Sequence, residues 1–356
     1  MWKFLVSLVI LRSINIANPS SKGLEPRVFY GGAISGNRGG PRVKVLKLHE
    51  QFPQDQKSFN LVYALSNFPY LSKWSLKLLQ EAKIPVVLNQ NGVYFPGWYG
   101  DGWKEKNLDN ADIYQACQYV FWQSEFARDS SRKFLSNIDP RGEILYNSVD
   151  LSLFSPNTQI TSKNEFVFLV AGNFNWGNFY QIETALRAFV NIKNRKSFKI
   201  YFAGLADPLM RATSKLAYEL SIFESVRLIG RFTQAEGAKL MREVDVYLAL
   251  KFMDTCPNLV IEALASGVPV IFSNSGGTRE LVDNACGIGA EIKGDWNSIP
   301  SGPDPHLLSK LMQEIVPNRK VMGQAARTRA EEMFNLRHWH ERHKVIFDML
   351  LAERSK

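Results

Sequence analysis

Short apolar runs alternate with amphipathic segments along the first part of the chain. The runs are RVFYGG (27–32), FNLVYALSN (59–67), IPVVLNQN (84–91), YVFWQS (119–124) and EILYNSVD (143–150). Between them, apolar residues recur every three or four positions, as at Leu71, Trp74, Leu78 and Leu79. Short apolar runs are typical of strands buried on both faces, and the intervening spacing is typical of helices packed on a sheet. The pattern predicts alternating strands and helices and a parallel sheet.

A second series of the same kind follows a polar segment at 150–165, which is typical of a linker. Strands are predicted at EFVFLVAG (165–172), SFKIYFAG (197–204), VRLIG (226–230), DVYLAL (245–250) and VPVIFS (268–273), with helices between them. One long helix is predicted at roughly 326–354. We therefore expect two Rossmann-like, doubly wound parallel-sheet α/β domains at residues 25–155 and 156–330, followed by a C-terminal helix at 331–356. In such sheets ligands bind at the carboxyl ends of the strands, so two facing edges would form a deep cleft.

Residues 1–24 form an N-terminal apolar extension. Its apolar run from Phe4 to Leu11 is too short to span a bilayer. Three interpretations stay open: a signal peptide, a packed helix or strand, and a peripheral contact with an anionic membrane, for which Trp2, Lys3 and Arg12 are suited.

Composition and charge narrow the range of partners. The chain has 356 residues, of which 45% are hydrophobic and 22% charged, and its net charge is +9. This favours a soluble two-domain protein with an anionic partner such as a nucleotide or phosphate. The basic residues are scattered and no nucleic-acid-reading module accompanies them, so nucleic acid is not expected. Cys117, Cys256 and Cys286 are odd in number and widely spaced, which favours a reducing cytoplasm, with peripheral contact at the inner membrane face left open.

The stretch DTCPNLVIEALASGVPVI (254–271) carries two carboxylates around the start of a short apolar helix. Asp254 follows a predicted strand and is expected at its carboxyl edge. Asn258 is a suitable N-cap and Gly267 a suitable C′ residue for the helix between them.

The start of this helix predicts an anion site. The first-turn amides of Asn258, Leu259 and Val260 lack intrahelical partners and lie at the positive end of the helix dipole. Glu262 lies one turn further and leans back toward them. The arrangement suits a nucleotide diphosphate-sugar, with Glu262 on the ribose and Asp254 on the sugar. From spacing alone, two ordinary surface carboxylates remain the alternative.

The same stretch, followed by SGGTRELV, resembles the E-x7-E region of GT-B glycosyltransferases of family four, the group 1 glycosyltransferases. Members have two acidic residues eight positions apart, then G-x-P-V and a G-G-x-x-E loop. This chain matches them at Glu262, Ala263, Gly267, Pro269, Gly276, Gly277 and Glu280. The likeness covers the second domain and extends more weakly to SEFARDSSRKFL and ILYNSVDLSLFSP.

The resemblance implies the GT-B fold, with the last helix crossing back to the first domain. It also implies retaining transfer of a sugar from a nucleotide diphosphate-sugar, with no bound metal and no other cofactor; no D-x-D triplet occurs in the chain. The acceptor would be a cell-envelope glycan, a lipid-linked sugar or a small molecule. Gly276, Gly277 and Glu280 would shape the loop beside the donor.

Two departures concern the donor side. The first acidic position is Asp254 rather than Glu, which is one methylene shorter. At the glycine that closes the first strand of this domain, Gly172, the family has an adjacent Arg and then a Lys. Here Asn173 follows, and no basic residue occurs before Arg187. We hypothesise that Lys251, where the family commonly has a small Ser, binds the diphosphate together with Arg231 or with Arg38.

A third departure lies in the first domain, where the family often has a His near the reacting sugar. This chain offers amides there, and Asn91 is the candidate positioning residue. The aromatic residues that follow, among them Trp98, could stack on a sugar or form a packed loop. Gly39 and Gly40, in a loop that matches neither G-x-G-x-x-G nor a P-loop, would let the backbone approach the donor or the acceptor.

These departures leave two alternatives open. One is a GT-B-type epimerase or phosphorylase that acts on similar donors. The other is a degenerate member that binds nucleotide-sugar or glycan without turnover.

Overall fold

The computed structural model describes residues 1–16, 25–135, 138–139, 141–157 and 165–354. The chain forms two compact units: the first contains Met1–Asn147 and Leu336–Lys356, and the second contains Ser148–Asn335. The division thus falls before the predicted linker rather than at 155/156, and residues 158–164 of that linker lie outside the described residues.

The first unit contains a five-stranded parallel sheet in the order β1-β2-β3-β4-β5. Its elements up to Asn147 are α1 (Trp2–Ile16), β1 (Val28–Phe29), α2 (Gly40–Gln51), β2 (Leu61–Leu65), α3 (Lys73–Glu81), β3 (Val86–Gln90), α4 (Pro96–Tyr99), α5 (Trp103–Ala116), β4 (Tyr119–Trp122), α6 (Glu125–Phe134) and β5 (Glu143–Ile144). Each strand arises from one of the apolar runs. The sequence pattern missed α5 because its buried face includes the amides of Asn107 and Asn110.

Helix α1 is packed against this sheet. Val6 and Ile10 belong to the same hydrophobic cluster as residues of α3, α5 and the strands, and Ser7 Oγ lies 2.6 Å from Ser75 Oγ of α3. The packed-helix interpretation of the apolar run therefore describes this structure. Within the described part of the chain, no helix is both long enough and apolar enough to cross a bilayer.

The second unit contains a six-stranded parallel sheet in the order β11-β10-β9-β6-β7-β8. Its elements are β6 (Phe166–Ala171), α7 (Tyr180–Val190), β7 (Phe198–Leu205), α8 (Asp207–Glu219), β8 (Val226–Gly230), α9 (Gln234–Glu243), β9 (Val246–Ala249), α10 (Asn258–Ala265), β10 (Val270–Ser273), α11 (Thr278–Leu281), β11 (Gly287–Ala290) and α12 (Pro305–Met333). The direction of strand addition reverses between β6 and β9. Ligands of doubly wound sheets bind at the carboxyl ends of the strands that flank such a reversal.

The single helix predicted at roughly 326–354 is wrong. Helix α12 ends at Met333, and α13 (Leu336–Arg354) begins after a break. At the break the buried Phe334 accepts a hydrogen bond from Val149 N–H through its carbonyl at 2.8 Å, and Val149 also pairs with Asn335. Pairing with this segment ends α12 and leaves α12 in the second unit and α13 in the first.

Helix α13 completes the first unit by covering the face of its sheet that α2 also covers. Trp339 and Phe347 pack with Val45 and Leu48 of α2 and with Phe121 of β4. Helices therefore cover both faces of this sheet, as the prediction of a doubly wound fold requires.

Candidate functional site

The candidate site of the second unit lies at the carboxyl ends of β6, β9 and β10. Gly172 and Asn173 follow β6, the segment from Lys251 to Asp254 follows β9, and Gly276 follows β10. These three strands are neighbours in the sheet, and β6 and β9 flank the reversal of strand order. The fold thus brings predicted residues from three separate segments to one edge.

The glycine loop after β10 packs directly on the backbone of Asp254. Gly277 N–H donates to Asp254 O at 2.8 Å. Gly276 has φ +66°, and a Cβ built there would lie 2.5 Å from the same carbonyl oxygen. Only glycine fits this position without displacing the loop that carries Asp254.

Asp254 forms an ion pair with Lys251. The Nζ and Oδ1 atoms are 3.1 Å apart, and 48% of the lysine side chain and 21% of the aspartate side chain are exposed. The loop between them is held by Tyr180 of α7, whose Oη accepts a hydrogen bond from Phe252 N–H at 2.9 Å. Burial raises the pKa of Tyr180 to about 12; the Phe252 amide opposes this shift and the negative charge of Asp254 adds to it.

The N-cap of helix α10 lies one residue earlier than predicted. Its N-cap is Pro257 rather than Asn258, which is the first helical residue, and no side chain caps this end. Val260 N–H donates to Pro257 O at 3.2 Å, so this amide, which was predicted to be free for an anion, is already used. The amides of Asn258 and Leu259 precede any intrahelical acceptor and are the two that remain for a ligand. Gly267 follows the C-cap with φ +68°, as predicted for a C′ residue.

Glu262 is buried rather than a surface carboxylate. The residue is only 6% exposed, and its Oε1 accepts a hydrogen bond from Gln234 Nε2 at 3.2 Å. Gln234 is the first residue of α9, whose start is fixed by a capping box between Thr233 and Glu236. The sequence signalled this helix start, but it did not indicate that the side chain of Gln234 would reach Glu262.

The two carboxylates act on one buried hydroxyl. Tyr247 of β9 donates through Oη to Ala171 O at 3.1 Å. Burial raises the pKa of Tyr247, and the negative charges of Asp254 and then Glu262 raise it further. Both carboxylates therefore lie within electrostatic range of the Tyr247 side chain, whose hydroxyl lies at the carboxyl end of β6.

Three further residues of the second unit were predicted to belong to the site. Arg231 is exposed in the loop before α9, and Asn173 is exposed after β6. Glu280, in α11, accepts a hydrogen bond through its carbonyl from Arg329 Nη2 at 2.9 Å. The contacts that define the site are therefore those of Asp254 with the glycine loop and of Glu262 with Gln234.

In the first unit, Asn91 directly follows β3, and Arg38, Gly39 and Gly40 form the exposed start of α2. Gly39 is the N-cap of α2 and has φ +81°. Sequence reasoning missed Lys44, which is buried on α2 and bonded to Asn91. Among the described residues, no three His, Cys, Asp or Glu side chains are grouped so that they could hold a metal ion.

Comparison with known proteins identifies a family that the second unit resembles. Residues 165–296, which span the site of the second unit from β6 to β11, match the family model described as glycosyl transferases group 1. The glycosyltransferase MJ1607 of Methanocaldococcus jannaschii is 24% identical over 220 residues, 58% of this chain and 54% of the relative. EpsF of Bacillus subtilis, also named a glycosyltransferase, is 27% identical over 194 residues, 51% of this chain and 46% of the relative. The matches thus span about half the length of these curated relatives.

Solved structures share the fold over most of the chain. Sucrose-phosphate synthase from Thermosynechococcus elongatus superimposes with a TM-score of 0.67 at 17% identity, over 88% of this chain and 78% of that protein. HepE of Anabaena, solved in complex with UDP, gives a TM-score of 0.67 at 14% identity, over 88% of this chain and 85% of that protein. The predicted resemblance to group 1 glycosyltransferases and the predicted GT-B class of fold are confirmed.

Proposed function

We propose that this chain, a group 1 glycosyltransferase by its second unit, transfers a sugar from a nucleotide diphosphate-sugar to a glycan, lipid-linked or small-molecule acceptor. The transfer retains the anomeric configuration and uses neither a metal ion nor another cofactor. Solved structures of HepE with UDP and with UDP-glucose support a donor of this class. All three cysteines are buried and none is part of a disulfide, which suits a cytoplasmic location.

The observation that supports this proposal is that the buried carboxylate of Glu262 lies close to the N-terminus of α10. Glu262 is 6% exposed and lies one turn into α10, whose first amides have no intrahelical acceptor. A diphosphate placed at that helix start receives hydrogen bonds from Asn258 N–H and Leu259 N–H and the favourable end of the helix dipole. Glu262 is then placed to accept the two hydroxyl hydrogens of a ribose.

Sugar transfer requires stabilisation of the charge that grows on the departing diphosphate. In the second unit the helix start and the Lys251 ammonium supply positive potential for it. Asp254 accepts hydrogen bonds from hydroxyls of the transferred sugar, and the glycine loop keeps its backbone in place. The aspartate is shorter than the glutamate of the resembling family, so a donor sugar must approach the loop more closely.

The proposal is tested by replacing Glu262 and measuring binding and turnover of UDP-, GDP- and ADP-sugars. Glu262→Gln keeps the size of the side chain and removes its charge. We expect affinity for the donor to fall about tenfold to a hundredfold, since hydrogen bonds to a charged group contribute about 1.5–3 kcal/mol. Glu332→Gln, at an exposed position of α12, is the matched control and should leave affinity unchanged.

Measuring turnover with and without EDTA distinguishes a metal-independent enzyme from a protein that only binds the donor. Donor hydrolysis or transfer that resists EDTA, with the α-configuration preserved from donor to product, supports the full proposal. Tight binding without turnover on any acceptor supports a binding protein instead. Equal donor affinity in the wild type and in Glu262→Gln would contradict the placement of the ribose.

A further inference from the structure

An exposed group of aromatic side chains lies in the first unit, in the connection between β3 and α5. The connection begins at the carboxyl end of β3, and parallel sheets bind ligands at this edge. Trp98 and Tyr99, both in α4, are 52% and 39% exposed. The ring of Trp98 is stacked on that of Tyr94, with an interplanar angle of 9° and centroids 5.1 Å apart, and Tyr99 meets Tyr94 edge-on at 4.9 Å. We refer to Tyr94, Trp98 and Tyr99 as the aromatic platform.

One face of the Trp98 indole is open to solvent. The parallel stack on Tyr94 covers the other face. Two further aromatic neighbours, Phe95 and Tyr99, approach the indole at 43° and 66°, with centroids 5.9 Å and 6.5 Å away, so neither is stacked on it. Because half of Trp98 stays exposed, this segment is more than a packed loop: it presents a flat aromatic surface on which an apolar ring face can stack.

The aromatic platform is held in place by buried neighbours. Asn107 of α5 is 3% exposed; its Oδ1 accepts from Tyr94 N–H at 3.0 Å, and its Nδ2 donates to Tyr94 O at 2.8 Å. Phe95, which is 6% exposed, stacks on Phe134 of α6 with centroids 6.0 Å apart. The platform is therefore ordered before a ligand binds, so binding loses little conformational entropy.

A hydrogen-bond acceptor lies beside the platform. A Cβ built on Gly102 would lie 3.8 Å from Glu105 Oε2 and 3.9 Å from Tyr99 Cε1, so the carboxylate is close to the edge of the Tyr99 ring. Glu105 is exposed, and an ionised carboxylate accepts strong hydrogen bonds from hydroxyl groups. The segment 100–106 carries two acidic and two basic residues, all exposed, and its formal charge is zero.

These features match the chemistry of an uncharged pyranose. One face of a pyranose ring is formed by C–H groups with partial positive charge, and the face of an aromatic ring is negative. The hydroxyl groups around the same ring need hydrogen-bond acceptors such as Glu105. An anionic membrane instead attracts clusters of basic residues, whereas the charges of this segment balance.

We propose that the aromatic platform binds an uncharged pyranose ring of a glycan. Trp98 stacks on the C–H face of the ring, and Glu105 accepts hydrogen bonds from its hydroxyl groups. The inference rests on the proposed function in one respect: it identifies the acceptor, among the classes named there, as a glycan. Binding of the glycan itself requires residues of the first unit alone.

The test titrates maltotriose, cellotriose and N,N′,N″-triacetylchitotriose into the full chain and measures affinity by calorimetry. We expect Trp98→Ala to weaken glycan binding about fivefold or more, the order expected for loss of an aromatic stacking contact. Trp98→Tyr keeps a ring and should recover part of the affinity. Glu105→Gln should weaken binding about threefold or more, because a neutral amide accepts weaker hydrogen bonds than a carboxylate. Trp74→Ala, at a tryptophan of α3 that is 46% exposed, is the matched control and should retain the affinity.

Melting temperatures of all variants, and titrations with UDP, UDP-glucose and phosphatidylglycerol vesicles, complete the test. Weaker glycan binding in Trp98→Ala with an unchanged melting temperature supports the proposal. Equal glycan affinity in Trp98→Ala and the wild type would overturn it, as would failure of the wild type to bind any of the three glycans. Binding of UDP or vesicles that depends on Trp98, without glycan binding, would assign the platform to a base or a membrane and also overturn it.

Failure of this inference is distinguishable from failure of the proposed function. UDP-glucose binding that depends on Glu262, without glycan binding, retains the proposed function and removes the glycan site. Glycan binding that depends on Trp98, without binding of any nucleotide-sugar, retains the glycan site and contradicts the proposed function.

Discussion

The buried histidine of α13 gives the first unit a defined sensitivity to acid. His343 Nδ1 lies 2.8 Å from Trp339 O, and Nε2 lies 2.9 Å from Tyr63 Oη. A carbonyl oxygen only accepts, so Nδ1 carries the proton and Nε2 accepts from the tyrosine hydroxyl. The ring is neutral and enclosed by aromatic side chains, with the Phe121 ring centroid 4.5 Å away. Burial lowers the pKa of His343 to about 3, with the charges of His340 and Lys44 contributing, while the Trp339 carbonyl opposes the shift.

The sign and size of the effect follow from proton linkage. The pKa of His343 is depressed in the folded state, so the unfolded chain binds a proton that the folded chain does not bind between pH 6.5 and about 3. The stabilisation is fully present above pH 6.5 and is lost as the pH falls through this window. Each pH unit costs about 1.4 kcal/mol, so the free energy of unfolding falls by about 2 kcal/mol from pH 6.5 to pH 5 through this residue alone.

The assay compares urea denaturation at several values between pH 7 and pH 5 for the wild type, His343→Gln and His338→Gln. Hydrogen exchange of α13 peptides identifies the transition that belongs to the first unit, since two units need not unfold together. His343→Gln should be less stable at pH 7 but lose less stability on acidification. His338 is exposed on the same helix, and its replacement should retain the steep slope of the wild type. Equal slopes for the wild type and His343→Gln would refute the reasoning.

Two further substitutions test how the donor loop is held. Gly276→Ala should weaken the binding of UDP-sugars, because its Cβ would meet Asp254 O at 2.5 Å and displace the loop that carries this carboxylate. Gly100→Ala, with φ +72° and open space, should show only the cost of a left-handed alanine, about 1–2 kcal/mol, as a lower melting temperature with unchanged affinity. Tyr180→Phe removes the acceptor of Phe252 N–H and should cost about 1–3 kcal/mol of stability with weaker donor binding; unchanged melting and affinity would contradict the anchoring role.

The sequence predicted features that depend on local pattern. Apolar runs marked ten of the eleven described strands, all except β11, and the N-cap of α10 was predicted to within one residue. The contact of Gln234 with Glu262 could not be predicted, because it joins residues 28 positions apart whose approach depends on the strand order. Lys44 was missed for a related reason. A lysine in an amphipathic helix is ordinarily assigned to the solvated face, and only the placement of α2 on β3 shows that its amine meets the amide of Asn91.

The structure also shows that two residues that depart from the family pattern contact each other. Lys251 replaces a small serine and Asp254 replaces a longer glutamate, and the two side chains form an ion pair at 3.1 Å. Because both are partly exposed, the pair itself contributes little to stability. It does fix the aspartate close to the lysine, so under the proposed function the lysine charge is shared between that carboxylate and the diphosphate. A Lys251→Ala variant would therefore change donor binding both by removing a cation and by releasing Asp254. Only a double-mutant cycle with Asp254→Asn can separate these effects, and a coupling energy near zero would mean that Lys251 acts on the diphosphate independently of the aspartate.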